Sequence, residues 1–228
     1  MTMRRIVLAI LLAALAQTAS AEDWTFESLD RIAGAAVHVE GHPQILATGA
    51  GPAIQFNGID DALFVDRHPM AGASAFTIEA VFRPDGGAFE QRWMHLAETD
   101  PATGKDTGTR FLFEIRVVGD RWYLDCFTTG PGYNKPLVVP EKTFPLGAWY
   151  RVEMSYDGTT FRSFVDGVEQ AEAPIAYNPQ GAGHSSLGVR INRVNYFKGA
   201  IFKLRFTPRA LPVSEFMTVP AALSAKPE

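Results

Sequence analysis

The chain has 228 residues, with 21 Lys and Arg against 25 Asp and Glu, and a net charge of −4. A mildly acidic chain with scattered basic residues lacks the electrostatic footprint that nucleic acid or an anionic membrane surface selects. A single cysteine, Cys126, excludes an intramolecular disulfide, so stability must come from a core.

The chain opens with Met1-Thr-Met-Arg-Arg5, continues with an apolar run from Ile6 to Ala16, and reaches Ala19-Ser20-Ala21. A basic start, a short apolar core and small residues at the end form the pattern of a secretory signal. The run is too short to span a bilayer as a stable helix. Residues 1–21 are expected to be removed, which places the protein outside the cell or in a periplasm. Loss of Arg4 and Arg5 takes the charge from −4 to about −6. Residues 22–217 then read as one domain, and 218–228 as a frayed tail.

Within that domain Gly and Pro punctuate short runs of period two, and no helical period lasts three turns. This is the pattern of many short strands joined by turns. Strands are expected at Ala53–Phe56, Ala62–Val65, Phe76–Arg83 and Arg92–Glu98, the last with Trp93 and His95 on one side. Arg110–Val117 is the clearest: Phe111, Phe113, Ile115 and Val117 share one face, and Arg110, Leu112, Glu114 and Arg116 the other. The turn Gly119-Asp120 leads into a partner strand with Trp122, Leu124 and Cys126 inward and Tyr123 and Asp125 outward. Cys126 therefore reads as a core thiol. Tyr150–Tyr156, Phe161–Val165, Val168–Glu172, Leu187–Asn192 and Lys198–Phe206 complete the set, and Pro212–Met217 reads as a short helical turn.

Four ordered segments resemble the laminin-G-like bacterial domains of the concanavalin A-like lectin/glucanase superfamily. They are Ile54-Gln-Phe-Asn-Gly-Ile-Asp-Asp61; Phe76-Thr-Ile-Glu-Ala-Val-Phe-Arg-Pro84; Trp149 to Gly158 with Phe164-Val-Asp-Gly167; and Leu187-Gly-Val-Arg190, Phe197-Lys-Gly199 and Phe206-Thr-Pro-Arg-Ala-Leu211. Arg151 stands where the family often has His, and Val81-Phe82 where it usually has Trp. The resemblance implies an all-β fold: two antiparallel sheets in a jelly-roll sandwich. It implies binding of a glycan or of a cell-surface protein. It also implies a Ca²⁺ at the sandwich rim, for which Asp60 and Asp61 are the acid pair; the same two residues suit a turn cap.

Catalytic readings are weaker. A glucanase on this fold needs clustered acids, and Glu98-Thr-Asp100-Pro-Ala-Thr103 lacks the third. A polysaccharide lyase would draw on His95, Arg110, Glu114, Arg116 and Tyr196-Phe-Lys198, but the segments stand in the wrong order for that family. An envelope protein acting through protein contacts is the other alternative. Spacing of His38, His42, His68, His95 and His184 matches no zinc motif. The expected ligand site is the polar face of Arg110, Glu114, Arg116, Tyr123 and Asp125, with Arg190 and Asn192 nearby and Tyr133 on the loop Gly130–Lys135. Arg116 and Tyr123 are expected to be exposed there.

The N-terminal reading has a direct check. Sequencing of exported protein should begin at Glu22, and a start before Arg5 would exclude cleavage of this segment.

Overall fold

The computed structural model describes residues 20–224. Most of the expected signal segment lies outside the described residues. Seventeen strands follow in chain order. The first six are β1 (Glu22–Trp24), β2 (Arg31–Ile32), β3 (Ala35–Glu40), β4 (Gln44–Thr48), β5 (Gly51–Asn57) and β6 (Ala62–Val65). Then come β7 (Phe76–Pro84), β8 (Glu90–Thr99), β9 (Asp106–Val118), β10 (Arg121–Gly130), β11 (Tyr133–Val138) and β12 (Phe144–Pro145). The last are β13 (Tyr150–Tyr156), β14 (Thr160–Val165), β15 (Val168–Pro174), β16 (Gly183–Leu187) and β17 (Lys198–Thr207). A 3₁₀ turn at Val213–Glu215 and a short helix α1 (Ala221–Ser224) follow.

The strands form two antiparallel sheets, a jelly-roll sandwich. Sheet I runs β15-β14-β13-β7-β17-β5-β4, with β1 also paired to β17. Sheet II runs β11-β10-β9-β8-β16-β6-β3-β2, with β12 also on β10. The alternation in the sequence explains why they stack. In β7, Phe76, Ile78, Ala80 and Phe82 face inward, and in β9 Phe111, Phe113 and Ile115 face them. Phe82 meets Trp93 and Trp122 at 5.2 Å between ring centroids, and Phe76 meets Phe111 at 5.0 Å. Each such side chain contributes about 1.5–3 kcal/mol by leaving water. Cys126 is buried in this core, and burial raises its thiol pKa well above the ordinary value. Asp166 and Gly167 both take positive φ, 51° and 77°, as the two-residue turn between β14 and β15 requires.

Four sequence expectations need correction. Leu187–Asn192 is not a strand: β16 ends at Leu187. Gly188 has φ +80°, and a Cβ there would fall within 2.3 Å of the Phe56 ring, so the chain turns sharply where only glycine fits. Tyr133 is not a loop residue; it opens β11 and is buried. Trp93 and His95 lie on opposite faces of β8, because one extra residue interrupts the alternation between Arg92 and Met94. The segment 218–224 does not fray. Val81 and Phe202 leave an apolar strip on the outer face of sheet I, and Met217, Val219 and Leu223 cover it. The part of the expected tail beyond Ser224 lies outside the described residues.

Beneath that strap two carboxylates face each other across β7 and β13. Glu79 pairs with Glu153 in register, and both are 1% exposed. Glu79 Oε1 accepts the Met217 N–H, and Arg151 Nη1 donates to the Met217 carbonyl. Arg151, the departure from the family pattern, thus ties down the strap. Burial pushes the Glu153 carboxyl up to about 8; Arg151 at 3.3 Å opposes this and Glu79 adds to it. A raised folded pKa means the folded state keeps its proton while the unfolded chain has lost it. Stability should therefore be full below the unfolded value of 4.5 and fall as pH rises towards 8. Glu153→Gln should remove most of this loss, on the order of a few kcal/mol. Urea unfolding at pH 5 and pH 8.5 measures it; equal pH dependence in both proteins would refute the assignment.

Candidate functional site

The outer face of sheet II divides into two regions of different electrostatics. The first is built by β8, β9 and β10 from outward residues in register: Arg92 opposite Glu114, and Glu114 opposite Asp125. Arg116 Nη1 lies 2.9 Å from Glu114 and its Nη2 2.7 Å from Asp125. Arg92 bridges Glu90 at 2.8 Å and Glu114 at 3.1 Å. Glu114 and Asp125 are 3% and 7% exposed. Burial, then the neighbouring Glu114, raises Asp125 to about 6, against the pull of Arg116. Tyr123 stands opposite Arg116 and is buried as well. This is a network of ion pairs in which each acid has an arginine partner.

The second region is open. Beyond the extra residue in β8, His95 points outward and is 2% exposed. The turn 188–195 folds over it, with the Ile191 N–H donating to His95 Nδ1 at 3.1 Å. That bond leaves the proton on Nε2, which has no partner. Burial, then Arg110 and Arg190, presses the imidazole pKa down to about 3, so the ring is neutral. A bulge in β9 at Thr107–Thr109 forms the opposite wall. Arg110 lies there, its Nη1 donating to the Gly108 carbonyl at 2.7 Å and its guanidinium 5.3 Å over the Phe127 ring. His95, Arg110, Arg190, Ile191 and Asn192 line a cleft of about 220 Å³. It shares Asp106 and Ile191 with a second cleft of about 510 Å³, lined also by His38, Phe64, His184 and Arg193. Asp106 is paired to His184 at 2.8 Å. Arg193 stacks 4.6 Å over Phe64 and holds Glu40 by two forked bonds.

The expected site residues are thus separated. Arg110, Arg190 and Asn192 come together in one cleft. Glu114, Tyr123 and Asp125 are buried beside it and Arg116 is partly buried, rather than exposed. Tyr133 lies on the core side, with its hydroxyl near Gln180 at 3.3 Å and its ring against Tyr177. His95 was read only as a lyase component, and His38, Phe64 and His184 were not read as site residues. Their shared face follows from register across β3, β6, β16 and β8, which no local pattern encodes.

Asp60 and Asp61 sit on the turn after β5. Asp61 accepts the His42 and Asn57 N–H groups, one on each carboxylate oxygen, at 2.7 and 2.9 Å. Asp60 accepts the Asn57 side-chain amide at 2.7 Å. The pair is spent on the turn, and among the described residues no three His, Cys, Asp or Glu side chains gather to hold a metal. A Ca²⁺ on these two acids would need its further ligands from backbone carbonyls or side-chain amides.

The fold places the chain in a known class. The family model for the concanavalin A-like lectin/glucanases superfamily of laminin-G type matches residues 57–216, and the chain belongs to this family. Domain 4 of AbnA, an extracellular arabinanase from Geobacillus stearothermophilus solved with arabinotriose, superposes with TM-score 0.62 at 16% identity, covering 86% of this chain and 96% of that one. The CBM40 of the Ruminococcus gnavus IT-sialidase, bound to α2,3-sialyllactose, gives 0.53 at 14%, covering 78% and 95%. The NanB sialidase from Streptococcus pneumoniae gives 0.55 at 17%, covering 68% of this chain but only 25% of that protein. These likenesses establish the fold. No curated protein sequence matches the chain.

The buried network makes a measurable claim. Arg116→Ala should leave Glu114 and Asp125 buried with one cation fewer, and cost about 3–5 kcal/mol of stability in urea unfolding. A loss under about 0.5 kcal/mol, as at an ordinary surface site, would show that the network is solvated.

Proposed function

We propose that the chain is an exported carbohydrate-binding module whose site is the paired cleft on the outer face of sheet II. The observation that carries the reading is the cleft itself. It joins an aromatic and apolar wall, Phe64 and Ile191, to the polar groups Arg110, Arg190, Asn192 and His184. Sugars demand this mixture, because their C–H faces pack on apolar surface while their hydroxyls need planar donors and acceptors. Two similarly folded domains were solved with oligosaccharides, which supports the reading. The extracellular arabinanase among them agrees with export.

The reading is one of binding rather than turnover. A lyase base needs a free lone pair. His95 Nδ1 already accepts the Ile191 N–H, and Nε2 carries the proton, so the ring can donate but not abstract. Glu114, on the same strand as Arg110, is tied to two arginines.

A glycan array with the purified protein tests this, run with Ca²⁺ and with EDTA. Phe64→Ala should weaken binding about ten-fold or more while the fold persists by circular dichroism. Trp149→Ala, on the outer face of sheet I, should leave binding unchanged. The opposite pattern would move the site to sheet I. Loss of binding in EDTA would restore the Ca²⁺ role of the Asp60–Asp61 rim, and growth of unsaturated-uronate absorbance would make the protein a lyase.

A further inference from the structure

We infer that the cleft floored by His95 selects its glycan by an anionic substituent, a sugar carboxylate or a sulfate ester. The inference rests on the binding reading above and names its ligand class. Charge accounting carries it. Two guanidiniums, Arg110 and Arg190, stand over this cleft, and among the described residues neither forms an ion pair. Two of the acids close to them are already engaged. Glu114 lies between Arg92 and Arg116, and Asp125 is held by Arg116. Asp106, the carboxylate on the rim, lies 2.8 Å from His184 Nε2 and forms no ion pair with either arginine. Nε of both arginines is buried without a partner. Burial, then the nearby charge of Arg190, lowers the proton affinity of Arg110, with Glu114 opposing them.

Two further groups can donate hydrogen bonds to an anion there. His95 is neutral and offers only an N–H at the floor. Asn192 is exposed at the mouth. Arg110 is fixed before any ligand arrives, by the Gly108 carbonyl and the Phe127 ring. Arg190 sits on a turn closed by the bond between its carbonyl and the Arg193 N–H. An anion entering between the two guanidiniums would remove their mutual repulsion and accept forked hydrogen bonds. A neutral sugar hydroxyl would leave both charges in place. A carboxylate and a sulfate ester share the chemistry the pair recognises, and the experiment separates them.

Affinity electrophoresis of the purified protein uses polygalacturonate, alginate, sialyllactose linked to a matrix, and dextran sulfate. Fully methyl-esterified pectin, lactose and dextran are the neutral counterparts. At least one acidic probe should bind about ten-fold or more tightly than its counterpart. Arg110→Ala and Arg190→Ala should each remove most of that preference. Arg110→Lys should restore it only in part, since an ammonium keeps the charge but not the fork. Arg209→Ala, which removes an equal charge from sheet I's end of the molecule, should change nothing. Preference for polyuronates or sialyllactose names a carboxylate; preference for dextran sulfate alone names a sulfate ester. Equal binding of acidic and neutral probes, abolished by Phe64→Ala, would overturn the acid selectivity and leave the module standing. Binding of no probe, or binding indifferent to Phe64, Arg110 and Arg190, would overturn both.

Discussion

One extra residue in β8 determines which side chains this protein can show to a ligand. Arg92 pairs with Glu114 and Met94 with Phe113, so Trp93 has no partner opposite it. Its indole turns into the core against Phe82 and Phe113. Trp93 and Met94 are therefore consecutive core residues, and the alternation restarts with the other parity. His95 and Ala97 turn out to the surface of sheet II. An uninterrupted strand that kept Trp93 inside would also have kept His95 inside, and the Ile191 N–H would have lost its acceptor. The turn 188–195, which brings Arg190 and Asn192 over the sheet, is thus seated on a bond that exists only because of the bulge.

The same irregularity separates a neutralised surface from an uncompensated one. On the regular side, Arg92, Glu114, Arg116 and Asp125 are cross-strand neighbours with complementary charge. Such a network has little to offer a ligand, because any new partner must break an existing bond in a poorly solvated place. Past the bulge the facing positions are His95, Leu112 and Ala97, which cannot neutralise anything. Arg110 and Arg190 line the cleft there, and among the described residues neither forms an ion pair. The two regions are continuous on one sheet, and they differ in function because of which residues the register sets opposite one another.

The fold was legible because it is carried by local patterns. The phase of Phe111, Phe113 and Ile115 against Arg110, Glu114 and Arg116 gives both the strand and its core face. Asp166-Gly167 gives a turn, and the ordered family segments give the sandwich. What stayed hidden depends on contacts between distant segments. The parity of β8 looks regular in sequence, since nothing at Trp93 marks a bulge. Tyr133 follows Gly130-Pro-Gly and reads as loop, yet it opens β11 and packs on Tyr177, far along the chain. The outward face of the β9–β10 hairpin was read with the right parity and the wrong exposure. Period two tells which side of a sheet a residue takes, but not whether that side is covered. Of the expected site, Arg110, Arg190 and Asn192 come together in the cleft, although for Arg190 and Asn192 the sequence suggested a strand where the chain makes a turn.

The C-terminal strap covers an apolar strip on the outer face of sheet I. Val81 and Phe202 would give sheet I an apolar outer strip, and an exposed strip of that kind invites association. Met217, Val219 and Leu223 cover it. The cover places Glu79 and Glu153 out of water, one bonded to the Met217 N–H and the other beside Arg151. Removing water from two facing carboxylates is costly, and the structure meets the cost by favouring the protonated form of Glu153. Nothing comparable crosses the cleft of sheet II, where the turn 188–195 edges the face without closing it. A strap that closes sheet I at the expense of an unfavourable carboxylate pair, and an opposite sheet whose cations are left unpaired, are two solutions to one problem: each outer face carries groups that its own sheet cannot satisfy. On sheet I the partner is the protein's own C-terminal segment. On sheet II no other part of the described chain takes that place, and the anionic ligand proposed above is the group that would.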